Sequence, residues 1–357
     1  MRATRLLLFG ALVAVVGVGT AVGLRTTSTT TTTTTTSTST TTTTTTVAPE
    51  AAQAGWQVAT RSARGVMVDY RMLDVGSVYF RAIRLRARTT LLRWHVGGQD
   101  PPTRAGEVPA DALDAIDWAS EGLAGVVAVF NGGFKADAHA GGSMVDGVVT
   151  SPMVPGDMTI ALDAAGHWRM GLWEPGFPGA HFHAIAYRQN LGPMIADGQL
   201  TAAARTNLVS EWGSPLKNSP LQPRSALGVD AHGNLVYVAT MTQVSATQIA
   251  EALLAAGATE GMELDINPYW PIAGASFAVL HAPGGYPVQI PYSEHDPTIY
   301  NTGWERDFFV ALAEPGSWRC RWVSPGLSAK LQAPQPQPLH EVCAGATAPT
   351  TTTSVAG

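Results

Sequence analysis

Polar residues that could perform chemistry follow a short apolar run in the first third of the chain. Residues 127–130 pass directly into Asn131, Gly132 and Gly133, and Lys135 stands two positions later. Glycines allow the backbone to turn sharply and approach a ligand, and the Asn131 amide can both donate and accept hydrogen bonds. The pattern therefore predicts a ligand-binding turn, although a glycine-rich turn without a ligand has the same composition.

Two single charged residues extend this set of candidates. Asp146 precedes Gly147 in a second glycine-rich stretch, and Arg224 opens the apolar run of residues 226–229. An arginine in such a place either pairs with a carboxylate or binds an anion such as phosphate. The sequence leaves both roles open for Arg224.

Two carboxylates alternate near residue 264. Glu263 and Asp265 are predicted to point to the same face of one strand, since side chains alternate along a strand. A pair of carboxyl groups can divide acid and base roles in hydrolysis. The alternative is that Glu263 faces solvent on an edge strand. Asn267 follows as a further possible donor.

Short strands and two helices must position these residues. Alternating polar and apolar residues predict strands at 65–73, 78–85 and 90–96, and hairpins within 158–173 and 226–240. Helices are predicted at residues 111–122 and 245–257. The second helix has Ser245 as its N-cap, Gln248 as capping-box partner and Gly257 after its end. Each helix leads into a strand, residues 126–130 and 262–265, so Asn131 and Asp265 stand at strand ends.

Composition limits the class of protein. Hydrophobic residues make up 45% of the chain and charged residues 14%, so a large core can form, while 37 glycines and 24 prolines indicate many turns. The formal net charge of −5 argues against nucleic acid as a partner. We expect residues 55–315 to form an α+β domain of mixed, mostly antiparallel β-sheets with two or three helices.

The N-terminal region is typical of an exported protein. Arg2 and Arg5 precede the uncharged apolar residues 6–24, so residues 1–25 are predicted to be a signal peptide or an uncleaved signal-anchor helix in the membrane. Residues 26–54 are rich in threonine and serine and predict a disordered stalk, and residues 346–357 predict a disordered tail. The domain is therefore expected outside the cytoplasm, either anchored at the cell surface or secreted.

The two cysteines agree with an oxidising compartment. Cys320 and Cys343 lie outside any CxxC motif and are predicted to form a disulfide that staples a C-terminal extension, residues 316–345. His181 and His183 alternate but lack a nearby third ligand. No metal site and no cofactor is predicted, and the sequence does not decide whether a metal is required.

The segments around Asn131, Asp146, Arg224 and Asp265, together with a Leu-Gly-Pro at residues 191–193, resemble those of the phosphodiester glycosidase family in their order along the chain. That family shows an Asn-x-Gly-Phe-Phe-like segment, a later Asp-Gly, a Leu-Gly-Pro, a Pro-Arg-Thr-Ala-like strand and a Leu-Asp-Gly-Gly-Gly-Ser segment after a helix. The counterparts are residues 131–134, 146–147, 191–193, 223–228 and 264–265. Two departures stand out: Lys135 replaces the second Phe, and Ile-Asn-Pro-Tyr-Trp at residues 266–270 replaces the glycine-rich run.

The resemblance implies hydrolysis of a sugar–phosphodiester linkage in an envelope or extracellular glycan. Asp265 is then the first choice for the carboxyl group at the anomeric centre, and Glu263 the second. Substrate-binding roles are implied for the remaining candidates, Asn131, Gly132, Gly133, Lys135, Asp146, Arg224 and Asn267. Because residues 266–270 diverge from the family, the alternative is a non-catalytic envelope protein of the same fold that binds glycan, with Tyr269 or Trp270 stacking on a sugar ring.

Overall fold

The computed structural model describes residues 55–62, 64–101, 114–117, 121, 125–138, 140–213, 219–275, 288–289, 295, 297–314, 320–323 and 340–343. The predicted signal segment, stalk and C-terminal tail, and most of the predicted helix 111–122, lie outside these residues. No helix within the described ranges is long and apolar enough to cross a membrane.

Twenty strands and two α-helices form the described part of the chain. The first ten strands, in chain order, are β1 (Gln57–Ser62), β2 (Gly65–Val75), β3 (Val78–Leu85), β4 (Thr90–His95), β5 (Val126–Asn131), β6 (Ser143–Val145), β7 (Val148–Ser151), β8 (Met158–Asp163), β9 (Trp168–Leu172) and β10 (Ala184–Gln189). They are followed by β11 (Ile195–Ala196), β12 (Gln199–Leu200), α1 (Ala202–Thr206), β13 (Gln222–Asp230), β14 (Leu235–Val244), α2 (Ala246–Ala255), β15 (Ala258–Ile266), β16 (Ala273–Ala275), β17 (Val288–Gln289), β18 (Phe308–Ala313), β19 (Cys320–Val323) and β20 (His340–Cys343). Short 3₁₀ turns lie at Ala136–Ala138 and Pro297–Asn301.

The strands form three sheets in which the described strand pairs are antiparallel. A ten-stranded sheet has the order β12-β11-β15-β13-β14-β3-β2-β1-β19-β20, and two five-stranded sheets have the orders β7-β6-β10-β8-β9 and β17-β16-β5-β18-β4. The expectation of mostly antiparallel sheets with few helices is confirmed.

Both predicted hairpins have the same turn chemistry. The Asp163 carboxylate accepts hydrogen bonds from the backbone N–H groups of Ala165 and His167, at 3.0 and 2.8 Å, between β8 and β9. The Asp230 carboxylate accepts from His232 and Asn234, both at 2.9 Å, between β13 and β14. An aspartate can accept hydrogen bonds from the backbone that follows it in this way. Both turns share the sequence Asp-Ala-x-Gly, at residues 163–166 and 230–233, and its aspartate closes each of them.

The apolar side chains divide between the two faces of the ten-stranded sheet. One face meets the two smaller sheets in a shared core that includes Tyr70, Leu85, Trp94, Phe130, Leu162, Leu227 and Met262. The opposite face packs against α2, through Ile249 and Leu253 of the helix with Phe80, Ala226 and Val238 of the sheet. The central strands β13, β14 and β15 are therefore buried on both faces over most of their length, which explains their apolar runs.

Helix α2 begins as its sequence predicts. The Ser245 hydroxyl accepts a hydrogen bond from the backbone N–H of Gln248 at 3.1 Å, and the Gln248 side chain accepts one from the Ser245 N–H at 3.0 Å. Gly257 follows the helix with a φ of 100°, a left-handed conformation that favours glycine. The predicted helix 245–257 is thus confirmed with both of its boundaries.

The C-terminal strands place the two cysteines opposite each other. β19 pairs with β20 in antiparallel register, and Cys320 is the partner of Cys343. Directly opposite positions are close enough in Cα separation for a disulfide. The predicted bridge remains a prediction, and the register is compatible with it.

Candidate active site

Asn131 lies at the end of β5, and its side chain forms hydrogen bonds to β13, to β14 and to the residue that precedes β16. Its amide donates to the Ser225 hydroxyl at 3.0 Å and accepts from the Tyr237 hydroxyl at 2.8 Å and from the backbone N–H of Ile272 at 3.2 Å. The residue is 4% exposed. Ser225 in turn donates to the backbone carbonyl of Asp265 at 2.8 Å, so one hydroxyl group connects the Asn131 side chain with the Asp265 backbone.

The two glycines after Asn131 allow a close approach of backbone to side chains. A Cβ on Gly132 would lie 2.1 Å from the Asp307 carboxylate, and one on Gly133 would lie 2.6 Å from the Asn190 amide oxygen. The Gly132 carbonyl accepts a hydrogen bond from the backbone N–H of Asp265 at 3.0 Å. Gly132 and Gly133 therefore shape the site by packing against its charged residues, and no larger residue fits there.

Asp265 forms a buried ion pair with Arg306. The Arg306 guanidinium lies 2.7 Å from the Asp265 carboxylate and donates to the Gly133 carbonyl at 3.0 Å. Burial raises the pKa of Asp265 to about 7, while Arg306 and the Ile266 N–H oppose that rise. A carboxyl group with this pKa changes protonation state near neutral pH, which suits a group that transfers protons.

A second buried ion pair lies beside the first. Arg188 Nε donates to the Asp307 carboxylate at 2.7 Å, and the indole N–H of Trp94 donates to the same carboxylate at 2.9 Å. Arg188 also donates to the Phe134 carbonyl at 2.6 Å. Burial alone would lower the pKa of Arg188, but Asp307 more than offsets it and the pKa is raised, so this guanidinium carries a fixed positive charge.

Glu263 forms a different ion pair from Asp265: its partner is Arg224. Arg224 also donates to the carbonyls of Val244 at 3.1 Å and Pro220 at 2.9 Å, and both members of the pair are buried. Burial raises the pKa of Glu263 to about 7, and Arg224 opposes the rise. Of the two roles that the sequence left open for Arg224, the structure shows the ion pair.

Within the described residues, Arg224 forms no hydrogen bond or ion pair with Asn131 or Asp265. Ser225, the next residue, contacts both of them, and adjacent strand residues point to opposite faces. Arg224 is opposite Ile266 and Ala226 is opposite Glu263, so β15 has one extra residue between Glu263 and Ile266. The predicted common face for the two carboxylates is therefore interrupted, and they sit in two different ion pairs.

Lys135 is exposed and lines a cavity of about 250 Å³ beside the Asp265 site. Arg306, whose guanidinium pairs with Asp265, forms part of the same wall. The remaining lining residues are Gln99, Asp100, Ala136, Asp137 and Glu305. Burial raises the pKa of Asp100 as well. The cavity thus has cationic and acidic walls, and Arg306 is the residue that it shares with the Asp265 ion pair.

Aromatic rings continue the site beyond Arg306. The guanidinium carbon of Arg306 lies 5.2 Å from the Trp270 ring centroid, and Trp270 lies 6.0 Å from Trp304. Tyr269 lies 6.2 Å from Trp270 and is 39% exposed. Asn267, before these rings, is buried with a φ of 80°, and asparagine tolerates this left-handed turn. The exposed Tyr269 ring has an apolar face and a hydroxyl group, which suit contact with a sugar.

Asp146 occupies a tight turn instead of the ion-pair cluster. Asp146 and Gly147 have φ values of 45° and 82° between β6 and β7, as expected for a two-residue hairpin turn. Asp146 lines a separate cavity of only about 20 Å³. The structure therefore brings Asn131, Gly132, Gly133 and Asp265 together, with Lys135 at the adjoining cavity and Asp146 elsewhere.

The sequence interpretation missed Arg188, Arg306 and Asp307. A signal was present for the last two, because an Arg-Asp pair stands immediately before the apolar strand β18. Within the described ranges, no group of three His, Cys, Asp or Glu side chains is arranged to hold a metal ion.

Comparisons with known proteins give similarity in fold alone. Neither a family model nor a curated protein matches the chain. The catalytic domain of zebrafish N-acetylglucosamine-1-phosphodiester alpha-N-acetylglucosaminidase, auto-inhibited by its pro-peptide, is 12% identical over 72% of this chain and 87% of its own, with a TM-score of 0.43. A hypothetical protein from Synechocystis is 11% identical over 69% of this chain and 62% of its own, with a TM-score of 0.42. A Burkholderia pseudomallei K96243 protein whose name describes it as exported is 12% identical over 70% of this chain and 75% of its own, with a TM-score of 0.32.

Proposed function

We propose that this chain is an exported glycosidase-like hydrolase that cleaves a sugar–phosphodiester linkage in an envelope or extracellular glycan. The observation that carries the proposal is Asp265, a buried carboxyl group with a pKa of about 7, held by Arg306 beside a cavity that Lys135 also lines. A carboxyl group for proton transfer and cations for a phosphate are the parts that this reaction needs.

Each part has a role in the hydrolysis. Asp265, in its ionised form, takes a proton from the attacking water as the water oxygen bonds to the anomeric carbon. The bond between that carbon and the phosphate oxygen breaks, and its electron pair leaves with the phosphate. Arg306 and Lys135 stabilise the departing anion, because guanidinium and ammonium groups form charge-assisted hydrogen bonds to phosphate oxygens. Tyr269 contacts the sugar ring, and Asn131 keeps the Asp265 strand in place through Ser225.

The first prediction tests Asp265 directly. Asp265→Asn removes the proton acceptor but keeps a hydrogen-bonding group beside Arg306, so turnover of a chromogenic sugar-1-phosphodiester should fall about 10²-fold or more. Binding of the sugar phosphate, measured by calorimetry, should persist. In the wild type, kcat/KM should rise as the pH passes through about 7, because the base must be deprotonated.

The matched control is Glu174→Gln, which removes one exposed carboxylate away from the cavity and should leave turnover unchanged. Equal activity of the Asp265→Asn variant and the wild type would reject the assignment of Asp265.

A non-catalytic glycan-binding protein is the second candidate. It is favoured by one observation: Asp265 is only 4% exposed and already engaged by Arg306. This candidate expects no sugar release by the wild type from any sugar-1-phosphodiester, together with saturable binding of a glycan that is weakened by Tyr269→Ala. Sugar release above the rate of the Asp265→Asn variant decides for the hydrolase.

A further inference from the structure

A row of neighbouring residues leads across the large sheet from the Asp265 site to an arginine. Ser225 of β13 is opposite Ala239 of β14, and Ala239 is opposite Arg81 of β3. Directly opposite residues of antiparallel strands point to the same face. Arg81 therefore emerges on the same face as Ser225, which bonds both Asn131 and Asp265.

The distance along this row is short. Neighbouring strands lie about 4.8 Å apart, so the Arg81 backbone is about 10 Å from that of Ser225, two strands away. The row lies just beyond the core pair of Ile83 and Tyr237, at the end of the sheet where Asn131 contacts the Tyr237 hydroxyl. Arg81 and the Asp265 site thus belong to one end of the sheet.

Arg81 lines an open cavity of about 340 Å³. Tyr79, on the same face of β3, is 65% exposed and forms part of the wall. Met241 and the exposed Thr242 line it from β14. A cation, an exposed aromatic ring and a hydroxyl around one opening make a surface that suits a sugar carrying an acidic group.

The Arg81 guanidinium has no partner among the described residues. Within these residues it forms no ion pair with an acidic side chain and donates no hydrogen bond. Arg84, on the same strand as Arg81, differs because it donates to Asp69 of β2 at 3.0 Å. Arg81 is half-buried, and burial lowers its pKa. A guanidinium group has five N–H donors, and those of Arg81 are accessible from the cavity. An anionic ligand in the cavity would accept charge-assisted hydrogen bonds from them.

We infer that Arg81 and Tyr79 form a binding site for a phosphate-bearing sugar unit, separate from the cavity at Arg306. The two sites lie at one end of the same sheet, so one substrate molecule can occupy both. The identity of that substrate rests on the proposed function. The substrate would be an extended glycan with repeated anionic units, of which one is cleaved at Asp265 while a neighbouring unit is held by Arg81.

Phosphate binding to the purified full-length chain tests the inference. The Kd for inorganic phosphate is measured by calorimetry in a Lys135→Gln background, which weakens binding at the other cavity. Adding Arg81→Gln should raise the Kd about 10- to 100-fold, the effect of losing hydrogen bonds to a charged group. Arg81→Lys should give an intermediate value, because an ammonium cannot supply the planar fork.

The matched control is Arg205→Gln, which removes an exposed positive charge from helix α1 and should leave the Kd unchanged. Glucose, as a neutral probe, should not bind in an Arg81-dependent way. The inference is overturned if Arg81→Gln binds phosphate as tightly as its parent, or if that parent binds none.

The two proposals fail in different ways. If Asp265→Asn abolishes turnover but Arg81→Gln affects neither phosphate binding nor the KM for a glycan phosphodiester, only the Arg81 site is wrong. If the wild type shows Arg81-dependent phosphate binding but no turnover of any sugar phosphodiester, the proposed hydrolysis is wrong and the binding site stands.

Discussion

At the scale of single residues, the site is a set of buried charges that neutralise one another. Asp265 with Arg306 and Asp307 with Arg188 meet around the Gly132–Gly133 backbone, and Glu263 with Arg224 lies nearby. A buried ion pair contributes little net stability, because the cost of desolvating both charges offsets their attraction. Such pairs therefore indicate function or specificity more than stability.

The pKa values of the buried carboxyl groups predict how stability depends on pH. The ordinary values are 4.5 for Glu263 and 3.8 for Asp265, and burial raises both to about 7. At a pH between the ordinary and the raised pKa values, Glu263 and Asp265 keep their protons in the native protein and have lost them in the unfolded chain. The free energy of unfolding should therefore decrease by a few kcal/mol as the pH rises from about 4 through 7.

Urea unfolding at pH 5 and pH 8 measures this decrease. Glu263→Gln should show a smaller difference between the two pH values than the wild type, since the variant has no group to ionise at that position. Glu174→Gln, whose carboxylate is exposed in the parent, should keep the full difference. An identical pH dependence in all three proteins would contradict the assigned shift for Glu263.

Residue identities alone could predict only part of this site. The apolar run before Asn131 and the glycines after it indicated a strand end, and the structure has one there. The partner of Arg224 could not be chosen from sequence, because Glu263 reaches it across two paired strands. Arg188 was missed for the same reason: it stands in an ordinary short strand, and its partner Asp307 is remote in sequence.

At the scale of elements, local signals were sufficient. Strand β3 has the predicted boundaries Val78–Leu85, and the two predicted hairpins have their turns at Gly166 and Gly233. Alternation and turn chemistry act over a few residues, so a single sequence reports them well. The bulge near Asp265 was not predictable, because it depends on how β15 meets β13 and leaves no mark in the alternation of either strand.

The capping box of α2 gives a prediction at this scale. Ser245→Ala removes the hydroxyl that accepts the Gln248 N–H, and the free energy of unfolding should fall by about 1 kcal/mol. Urea unfolding followed by circular dichroism measures the loss. Ser245→Asp, which keeps an acceptor at the N-cap, should retain most of the stability. A Ser245→Ala variant as stable as the Asp variant would show that the cap is not used.

At the scale of the whole molecule, the ten-stranded sheet ends in strands from the C-terminal part of the chain. β19 pairs with β1 through Arg61 opposite Trp322, and β20 follows β19 at the edge. A long, unprotected edge strand invites pairing with other chains, and a short one is a common protection. β19 and β20 thus cover the edge of β1, and the sheet ends there in the four-residue strand β20.

The predicted disulfide would fix this edge. Mass spectrometry of exported protein after alkylation should find no free thiol, and reduction should expose two thiols, from Cys320 and Cys343. A loop of this size is expected to contribute about 3 kcal/mol, so the reduced protein should unfold at lower urea concentration. Two alkylated cysteines in unreduced native protein would reject the bridge.

The pairing of β1 with β19 has a consequence for how the protein reaches its native state. Strands from opposite ends of the described chain are neighbours in one sheet, so the contact order of the fold is high. Chains whose contacts are distant in sequence fold slowly, because long loops must close before those contacts form. During synthesis from the N-terminus, β1 can pair with β2 at once, but its other edge stays open until β19 has been made. This open edge presents unpaired backbone N–H and C=O groups, which are a template for pairing with a second unfinished chain.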